Sequence, residues 1–277
     1  MSVPVHYHTG AFPPEALRWE ELIPLLGPAS AAVARYDGML AAVPNPDVLL
    51  SPLTTQEAVL SSRIEGTQAT MGEVLHFEAD AAPRDLSEAR REEIEEVLNY
   101  RKAMRLAQER LGDVPLSVRL IREIHEVLLR GVRGQGRAPG ELRKIPNWIG
   151  PPGCAPEDAR FIPISAQTLP EAMGAWEQYI HAERPDRLVQ LAILHAEFEA
   201  LHPFLDGNGR MGRILVPLFL WQHGLIRQPM FYVSAYLEKH REEYFDRLLA
   251  ISRDGDWTGW GGFFLNGGRV QAEDNPQ

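Results

Sequence analysis

The amino-acid sequence predicts an all-α protein that is interrupted by one short β-hairpin. Apolar residues recur at helical spacing along most of the 277-residue chain. Residues typical of helix ends flank several of these stretches, as Ser117 and Gly224 do. Residues 140–165 differ, because they are rich in glycine and proline and contain the alternation ARFIPIS, which predicts a loop and a hairpin. A plain connector is the alternative for this segment.

The predicted helices follow one another along the chain. They cover the leucine-rich residues 15–42 and then residues 53–66, 86–112, 117–132, 186–201, 209–224 and 242–252. Two helix starts are marked by Pro115 with Ser117 and by Pro185 with Asp186, and two helix ends by Gly131 and Gly224. We divide the chain into an N-terminal helical region (1–112), a core (113–266) and a tail (267–277).

Composition and charge exclude several classes of protein. The chain is 44% hydrophobic and 24% charged, with a formal net charge of -10 and a pI near 5.4, which is typical of a soluble globular protein. This balance gives no field that would attract nucleic acid or an anionic membrane surface, so any anion site must be local. We expect neither nucleic acid nor membrane as a partner.

The compartment is predicted from cysteine usage and from the N-terminus. Cys154 is the single cysteine, which rules out an internal disulfide and fits a reducing compartment. The start MSVPVHYHTG lacks the regions of a signal peptide, and the longest apolar run, ILVPLFLW, is too short to span a bilayer. We therefore expect a cytoplasmic protein.

The segment HPFLDGNGRMGR, residues 202–213, lies between two predicted helices and concentrates the chemistry of the chain. Gly207 and Gly209 let backbone N–H groups approach an anion, and the positive N-terminus of the following helix points to the same place. Asn208 adds an amide donor, and Arg210 and Arg213 add forked donors for phosphate oxygens. These residues predict a polyphosphate site.

Two further residues of this segment supply reactive groups. Asp206 is a hard oxygen ligand of the kind that binds Mg²⁺ together with nucleotide phosphates. His202 is a candidate general base. Each residue alone has an ordinary structural explanation, but together they indicate nucleotidyl or phosphoryl transfer to a hydroxyl group. Phe204 and Leu205 are interpreted as apolar anchors of the turn.

The same segment resembles in full the HPFxDGNGRxxR signature of the Fic family, and this resemblance implies a Fic fold and transfer of AMP from ATP to a hydroxyl side chain of a protein. Further resemblance lies in ELRKIPNWIGPPGCAPEDARFIPI, SSRIEGT, REEYFDRLL and DWTGWGGFFL, so nearly the whole chain is covered. The core at 113–266 is then the catalytic core.

Residue roles follow from the resemblance. It implies that His202 takes the proton of the target hydroxyl, that Asp206 holds Mg²⁺, and that residues 207–209 form the anion cradle. Arg210 and Arg213 would bind the ATP phosphates, with Arg213 at the γ-phosphate. Gly209 favours AMP transfer, since the related phosphorylating branch carries lysine there.

Two positions depart from the family pattern. Relatives show K-N-R-x-x-Y-Y near the nucleotide, whereas this chain has KHREEYF at 239–245, which leaves Tyr244 as the candidate for the adenine pocket. Many relatives also continue into a winged-helix module, whereas this chain stops shortly after FFLNGGRV, so DNA binding loses its support.

The segment SSRIEGT, upstream of the signature, resembles the inhibitory pattern S/T-x-x-x-E-G/N of the family. Ser61, Glu65 and Gly66 are in register with it. A carboxylate that reaches Arg213 would keep this arginine from the γ-phosphate, so ATP could not settle productively. Gly66 would cap the helix. An ordinary surface glutamate is the alternative for Glu65.

The hairpin is interpreted as a flap that docks the target. Phe161, Ile162, Pro163 and Ile164 are expected to form an edge strand to which an extended target segment pairs. The target would present a Tyr, Thr or Ser hydroxyl and could be this protein itself, and the sequence leaves a homodimer open.

Alternatives to AMP transfer also remain at this point. They are removal of AMP from a target at the same site, a nucleotide-gated binding module without transfer, and a toxin that needs a separate antitoxin.

Overall fold

In the computed structural model, residues 3–43, 46–79, 86–131 and 136–274 are described, with the backbone alone for 46–50. These residues form eleven α-helices and two short strands. The elements are β1 (Val5–His6), α1 (Trp19–Ala41), α2 (Pro46–Ile64), α3 (Met71–Glu78), α4 (Glu88–Leu111), α5 (Val118–Leu128), β2 (Phe161–Ile162), α6 (Leu169–His181), α7 (Arg187–Leu201), α8 (Asn208–Gln222), α9 (Ser234–Lys239), α10 (Arg241–Asp254) and α11 (Trp257–Asp274). The predicted all-α class is confirmed.

Helices α7 and α8 form the centre of the molecule. Both are buried almost all round, which is how a helix without a continuous polar face is accommodated. Helix α7 packs against α6, α8, α10 and α11, while α8 also packs against α2 and α4. The turn between α7 and α8 therefore joins two buried helices.

The helix ends follow the predicted signals. The side chain of Asp186 accepts hydrogen bonds from the N–H groups of Leu188 and Val189 at the start of α7. Ser117 caps α5 through the N–H of Leu120. Gly224 follows α8 with a φ of +71°, a conformation that favours glycine.

The N-terminal region (1–112) and the core predicted at 113–266 share one hydrophobic cluster. Helix α1 packs along α11, and α2 packs against α8 and α9, so the boundary predicted at residue 112 does not separate two cores. The boundary predicted at residue 267 is wrong in its position, because it falls inside α11, which continues to Asp274 with its apolar side packed in the cluster.

The strands form a small sheet that the sequence predicted only in part. Ile149 bridges Phe161 in antiparallel fashion, as a hairpin requires. In addition, β1 pairs with β2 in parallel, with Val5 opposite Phe161 and His6 opposite Ile162. Short strands at a chain start carry no periodicity that a single sequence can reveal.

Side chains fasten β1 to the central helices. The Tyr7 hydroxyl donates to Oε1 of the buried Glu197 in α7 at 2.6 Å. His8 Nε2 lies 2.8 Å from the other oxygen of Glu197, and His8 Nδ1 lies 2.7 Å from the Ser252 hydroxyl in α10. The strand is thus tied to α7, which precedes the turn, and to α10.

Among the described residues, no helix is both long enough and apolar enough to cross a bilayer.

Candidate active site

The turn between α7 and α8 contains two residues in the left-handed region. Gly207 has a φ of +74°, and a Cβ there would lie 3.2 Å from a methyl carbon of Leu129, so both backbone and space require glycine. His202 has a φ of +46°, which costs a non-glycine residue about 1–2 kcal/mol. Such strain persists only where neighbouring groups impose it.

Arg143 and Asn147, in the loop before the flap, satisfy the backbone carbonyls of this turn. Arg143 Nε donates to the His202 carbonyl at 2.9 Å, and its backbone N–H donates to Pro203 at 2.9 Å. The Asn147 amide donates to the carbonyls of His202 at 3.3 Å and Phe204 at 3.1 Å. Both residues lie in the segment ELRKIPNWIG, which contributes to the family resemblance, but the sequence assigned no role to either.

His125, in α5, supports the far end of the turn. Its Nδ1 accepts the N–H of Gly140 at 2.9 Å, so the neutral ring carries its proton on Nε2 and donates it to the Asp206 carbonyl at 2.9 Å. The ring stacks on Phe204 with centroids 3.6 Å apart. Burial lowers the pKa of His125 to about 4, so the ring stays neutral and keeps this pattern.

The N-terminus of α8 is the place of the predicted anion cradle. No side chain caps Gly207, and the first N–H groups of a helix have no acceptor within it. The role predicted for the Asn208 side chain is wrong. Its amide oxygen accepts from the Phe204 N–H and its amide nitrogen donates to the Phe204 carbonyl, both at 2.8 Å, so it closes the turn instead of reaching an anion.

Asp206 and Arg210 lie together beside the turn. Oδ1 of Asp206 accepts the Gly207 N–H at 2.6 Å and lies 3.6 Å from Arg210 Nη2. Arg210 is buried and also lies 3.4 Å from Glu96 in α4, yet its Nε and Nη1 make no hydrogen bond with any described residue. Arg210 thus lies between the carboxylates of Asp206 and Glu96 and is not among the residues that line the cavity.

His202 has the protonation state of a base. Burial lowers the pKa of its imidazole to about 4; the charges of Glu65 and Asp206 oppose this shift, whereas that of Arg143 adds to it. The ring is therefore neutral near pH 7. Its Nδ1 has no hydrogen-bond partner among the described residues.

Arg213, which is 1% exposed, is held by the end of α2. Its Nε donates to the Ser61 hydroxyl at 2.8 Å, and its Nη2 donates to the Ser61 carbonyl at 2.9 Å and to Glu65 Oε1 at 2.6 Å. Burial acts to lower the pKa of Arg213, but the nearby carboxylates outweigh it and raise the pKa. The expected ion pair between Glu65 of SSRIEGT and Arg213 of the signature is present.

Glu65 lies over the cradle. Its side chain is 38% exposed through an opening to a cavity. Enclosure by protein acts to raise its pKa, but the positive charge of Arg213 outweighs this and lowers the pKa, so the carboxylate is ionised. A Cβ at Gly209 would collide with Oε1 of Glu65, so glycine at this position also makes room for the carboxylate.

The chain reverses direction directly after α2. Gly66 has a φ of +102°, as expected for a glycine that ends a helix. Arg241 Nε donates to the carbonyl of Ile64, the last residue of α2, at 2.9 Å, and its guanidinium lies over the ring of Phe245. Glu65 is thus fixed between two supported positions.

A cavity of about 480 Å³ connects these groups, a volume within the range of small-molecule sites. Its lining includes Glu65, Glu199, His202, Gly209 and Arg213. The lining also includes apolar side chains of the flap and α10, here called the apolar compartment: Ile149, Pro151, Phe161, Phe245 and Leu248. The cavity is thus lined both by apolar side chains and by groups that can bind an anion.

The prediction for Tyr244 is wrong. This residue is 1% exposed, and its hydroxyl donates to Nε2 of His195 at 3.0 Å inside the core. The next residue, Phe245, lines the cavity instead. Helical periodicity alone did not resolve which of two adjacent aromatic residues faces inward.

Glu199 is a cavity residue that the sequence reading missed. Its Oε1 has no hydrogen-bond partner among the described residues, and burial raises its pKa to about 7. A glutamate inside a helical run carries no distinguishing sequence signal.

The flap differs from the predicted edge strand. Phe161 and Ile162 are extended, but Phe161 pairs with Ile149 on one side and both residues pair with β1 on the other. Pro163 has no N–H, and the Ile164 carbonyl accepts from Arg143. A target strand therefore has no free edge at residues 161–164, because the chain start already occupies it.

Comparisons with known proteins agree with the fold and the signature. A family model described as Fic/DOC family N-terminal matches residues 23–109, and one described as Fic/DOC family matches residues 115–220.

The curated relatives described next are named as protein adenylyltransferases. A probable protein adenylyltransferase of Aquifex aeolicus is 29% identical over 96 residues, which are 34% of this chain and 30% of that protein. The protein adenylyltransferase Fic of Culex quinquefasciatus is 30% identical over 126 residues, which are 42% of this chain and 21% of that protein. The chain spans less than a third of the length of these relatives.

Solved structures share the fold. A Fic family protein from Desulfovibrio desulfuricans G20 superposes with a TM-score of 0.76 at 22% identity, covering 95% of this chain and 76% of that one. A Fic-domain signaling protein from Bacteroides thetaiotaomicron gives 0.64 at 18% identity, covering 91% and 94%.

Proposed function

Since the chain belongs to the Fic/DOC family, we propose that it is a protein adenylyltransferase, which transfers AMP from ATP to a hydroxyl side chain of a target protein. One observation carries this proposal: a neutral His202 opens onto the same cavity as the cradle residue Gly209 and the buried cation Arg213. Phosphate binding alone needs no base, so this combination favours transfer over a binding module.

The proposed reaction divides the cavity between the two halves of ATP. The apolar compartment takes the adenosine, and the N-terminus of α8 with Arg213 takes the phosphates. His202 accepts the proton of the target hydroxyl, whose oxygen forms a bond to the α-phosphorus while the bond to the pyrophosphate oxygen breaks. Pyrophosphate leaves with the electron pair of that bond.

Asp206 is the proposed Mg²⁺ ligand. Its side chain is 43% exposed, and its Oδ2 makes no hydrogen bond with the described residues. In nucleotide sites Mg²⁺ is commonly bound by one or two carboxylates together with substrate phosphates. Bound there, Mg²⁺ would neutralise phosphate charge.

Glu65 is the proposed inhibitor. Its carboxylate occupies a donor of Arg213 and adds negative charge where the terminal phosphate of ATP would lie. Ser61 holds the same guanidinium through its hydroxyl and its carbonyl. In the inhibited state, ATP would therefore lack its terminal contact, and its α-phosphate would lose its alignment.

The test is incubation of the protein with α-labelled ATP and Mg²⁺. We expect weak self-labelling of the wild type, strong labelling of Glu65→Gly, and none of Glu65→Gly combined with His202→Ala. A parallel reaction with γ-labelled ATP should leave the protein unlabelled. Label from γ-ATP would indicate phosphorylation instead, and the absence of label from both nucleotides on Glu65→Gly, with this protein and with lysate proteins as acceptors, would refute transfer.

Removal of AMP is a second candidate function. It rests on the ionised carboxylate of Glu65 facing the cavity that contains His202, where it can orient a water molecule. Release of labelled AMP from a modified target by the wild type, and its loss in Glu65→Gly, would support this activity.

A further inference from the structure

Arg143 makes an unusual set of contacts for a buried cation. It is 3% exposed, and its side chain donates to four backbone carbonyls: His202 at 2.9 Å, Leu201 at 3.2 Å, Ile145 at 3.5 Å and, at short range, Ile164. Among the described residues it forms no ion pair. Burial lowers its pKa to about 10, so the guanidinium remains charged near pH 7.

These acceptors lie at two places that the proposed reaction must keep in register. Leu201 and His202 end α7, where carbonyls lack intrahelical donors and the helix dipole is negative. Ile164 follows β2 on the return strand of the flap. A single rigid guanidinium therefore connects the backbone of the base to the backbone of the flap.

The position of His202 explains why such a connection is needed. A residue with a φ of +46° is ordinarily a glycine, but the proposed reaction requires an imidazole at this position. The hydrogen bonds from Arg143 and Asn147 to the His202 carbonyl oppose relaxation to a helical or extended backbone. A shift of about 1 Å in a reacting group can lower a rate by about 100-fold.

We propose that Arg143 is a positioning residue for the general base: it fixes the left-handed backbone of His202 and holds the flap at a constant distance from it. The inference rests on the proposed adenylyl transfer, because it is the function of His202 that gives this geometry its purpose. The guanidinium does not line the cavity, so its effect should fall on the chemical step and not on ATP binding.

The test compares three variants in the active Glu65→Gly background. Arg143→Lys keeps the charge but cannot span four carbonyls. Asn147→Ala removes the two weaker amide contacts to the same turn. Arg122→Lys is the matched control, because Arg122 Nε also donates to a loop carbonyl, that of Gly140, at 2.7 Å.

For Arg143→Lys we expect kcat of transfer to fall about 10- to 100-fold, while KM for ATP stays within about twofold. Asn147→Ala should show a smaller fall in kcat of the same kind, and Arg122→Lys no fall. Equal changes in kcat and in ATP affinity, or an unchanged kcat, would overturn the proposal.

Hydrogen–deuterium exchange gives a readout that is independent of catalysis. Exchange should rise in Arg143→Lys within residues 202–206 and 161–165 and remain unchanged in α4 and α11. A rise throughout the protein would make Arg143 a general stabilising residue and overturn the positioning role. If Glu65→Gly transfers no AMP, the proposed function fails, and this local exchange pattern still decides whether Arg143 fixes the turn and the flap.

Discussion

Replacement of Glu65 by glutamine tests how strongly the end of α2 withholds Arg213 from ATP. The change keeps the size of the side chain and removes its charge. The bond to Arg213 remains charge-assisted through the arginine, so the contact of 2.6 Å loses only the part that the carboxylate charge contributes, about 1–2 kcal/mol. At about 1.4 kcal/mol per tenfold change, ATP affinity should rise by about 5- to 30-fold.

Ser61→Ala should have a smaller effect. It removes the hydroxyl that accepts from Arg213 Nε at 2.8 Å, but the Ser61 carbonyl continues to accept from Nη2. A net contribution of about 1 kcal/mol for one hydrogen bond predicts a gain of about fivefold. The two side chains share one guanidinium, so the double variant should deviate from additivity.

Calorimetric titration with ATP and Mg²⁺ in a His202→Ala background measures these affinities without turnover. Glu78→Gln is a matched control, because Glu78 forms an ion pair of 2.6 Å with Arg101 that does not line the cavity. Unchanged affinity in Glu65→Gln, or an equal gain in Glu78→Gln, would refute the reasoning. A gain that persists after Arg213→Ala would show that Glu65 acts by another route.

Three further predictions concern the turn and the core. His202→Ala in the Glu65→Gly background should abolish transfer but leave the calorimetric affinity for ATP within about twofold, because the imidazole acts on the hydroxyl; equal loss of both would make His202 structural. Gly207→Ala and Gly224→Ala both place a side chain at positive φ, so each should lower the free energy of unfolding in urea by about 1 kcal/mol. The loss should be larger at Gly207, because a Cβ there meets Leu129 at 3.2 Å, whereas a Cβ at Gly224 meets no atom within 4 Å. Equal losses would contradict this. Burial lowers the pKa of His195 to about 3, so between about pH 6.5 and 3 the imidazole is protonated in the unfolded chain but not in the folded one. The free energy of unfolding should therefore decrease as the pH is lowered through this range, by up to about 1.4 kcal/mol per pH unit for this group. The melting temperature of His195→Gln should fall less than that of the wild type between pH 7 and 5, and parallel curves would refute this.

Local sequence patterns predicted the helices and the glycine-containing turn before α8 because both depend on short-range geometry. Helical spacing and caps such as Asp186 act within one helical turn. Gly207, at the entry to α8, adopts the positive φ that a glycine in a tight turn allows. The pairing of Glu65 with Arg213 could be predicted only because a family resemblance joined two distant segments. Neither segment alone indicates a partner.

The features that the sequence did not reveal depend on long-range contacts. Asn208 and Tyr244 have side chains suited to a ligand, but both are engaged inside the protein. Asn208 bonds to the backbone of Phe204, and Tyr244 bonds to the ring of His195. The role of Arg143 was not predicted because its side chain binds backbone carbonyls, which every residue type has, so no partner residue in the sequence indicates the contact. The pairing of β1 with β2 joins residues 5–6 to residues 161–162, which no local pattern encodes.

The strand β1 also bears on the order in which the protein can assemble during synthesis. His8 leaves the ribosome long before its hydroxyl partner, Ser252, which is 244 positions later. Contacts of such sequence separation form late in folding. The segment that follows β1 therefore gains its anchor on α10 only when that helix has emerged, so a chain stalled before α10 contains the complete signature at 202–213 without this anchor.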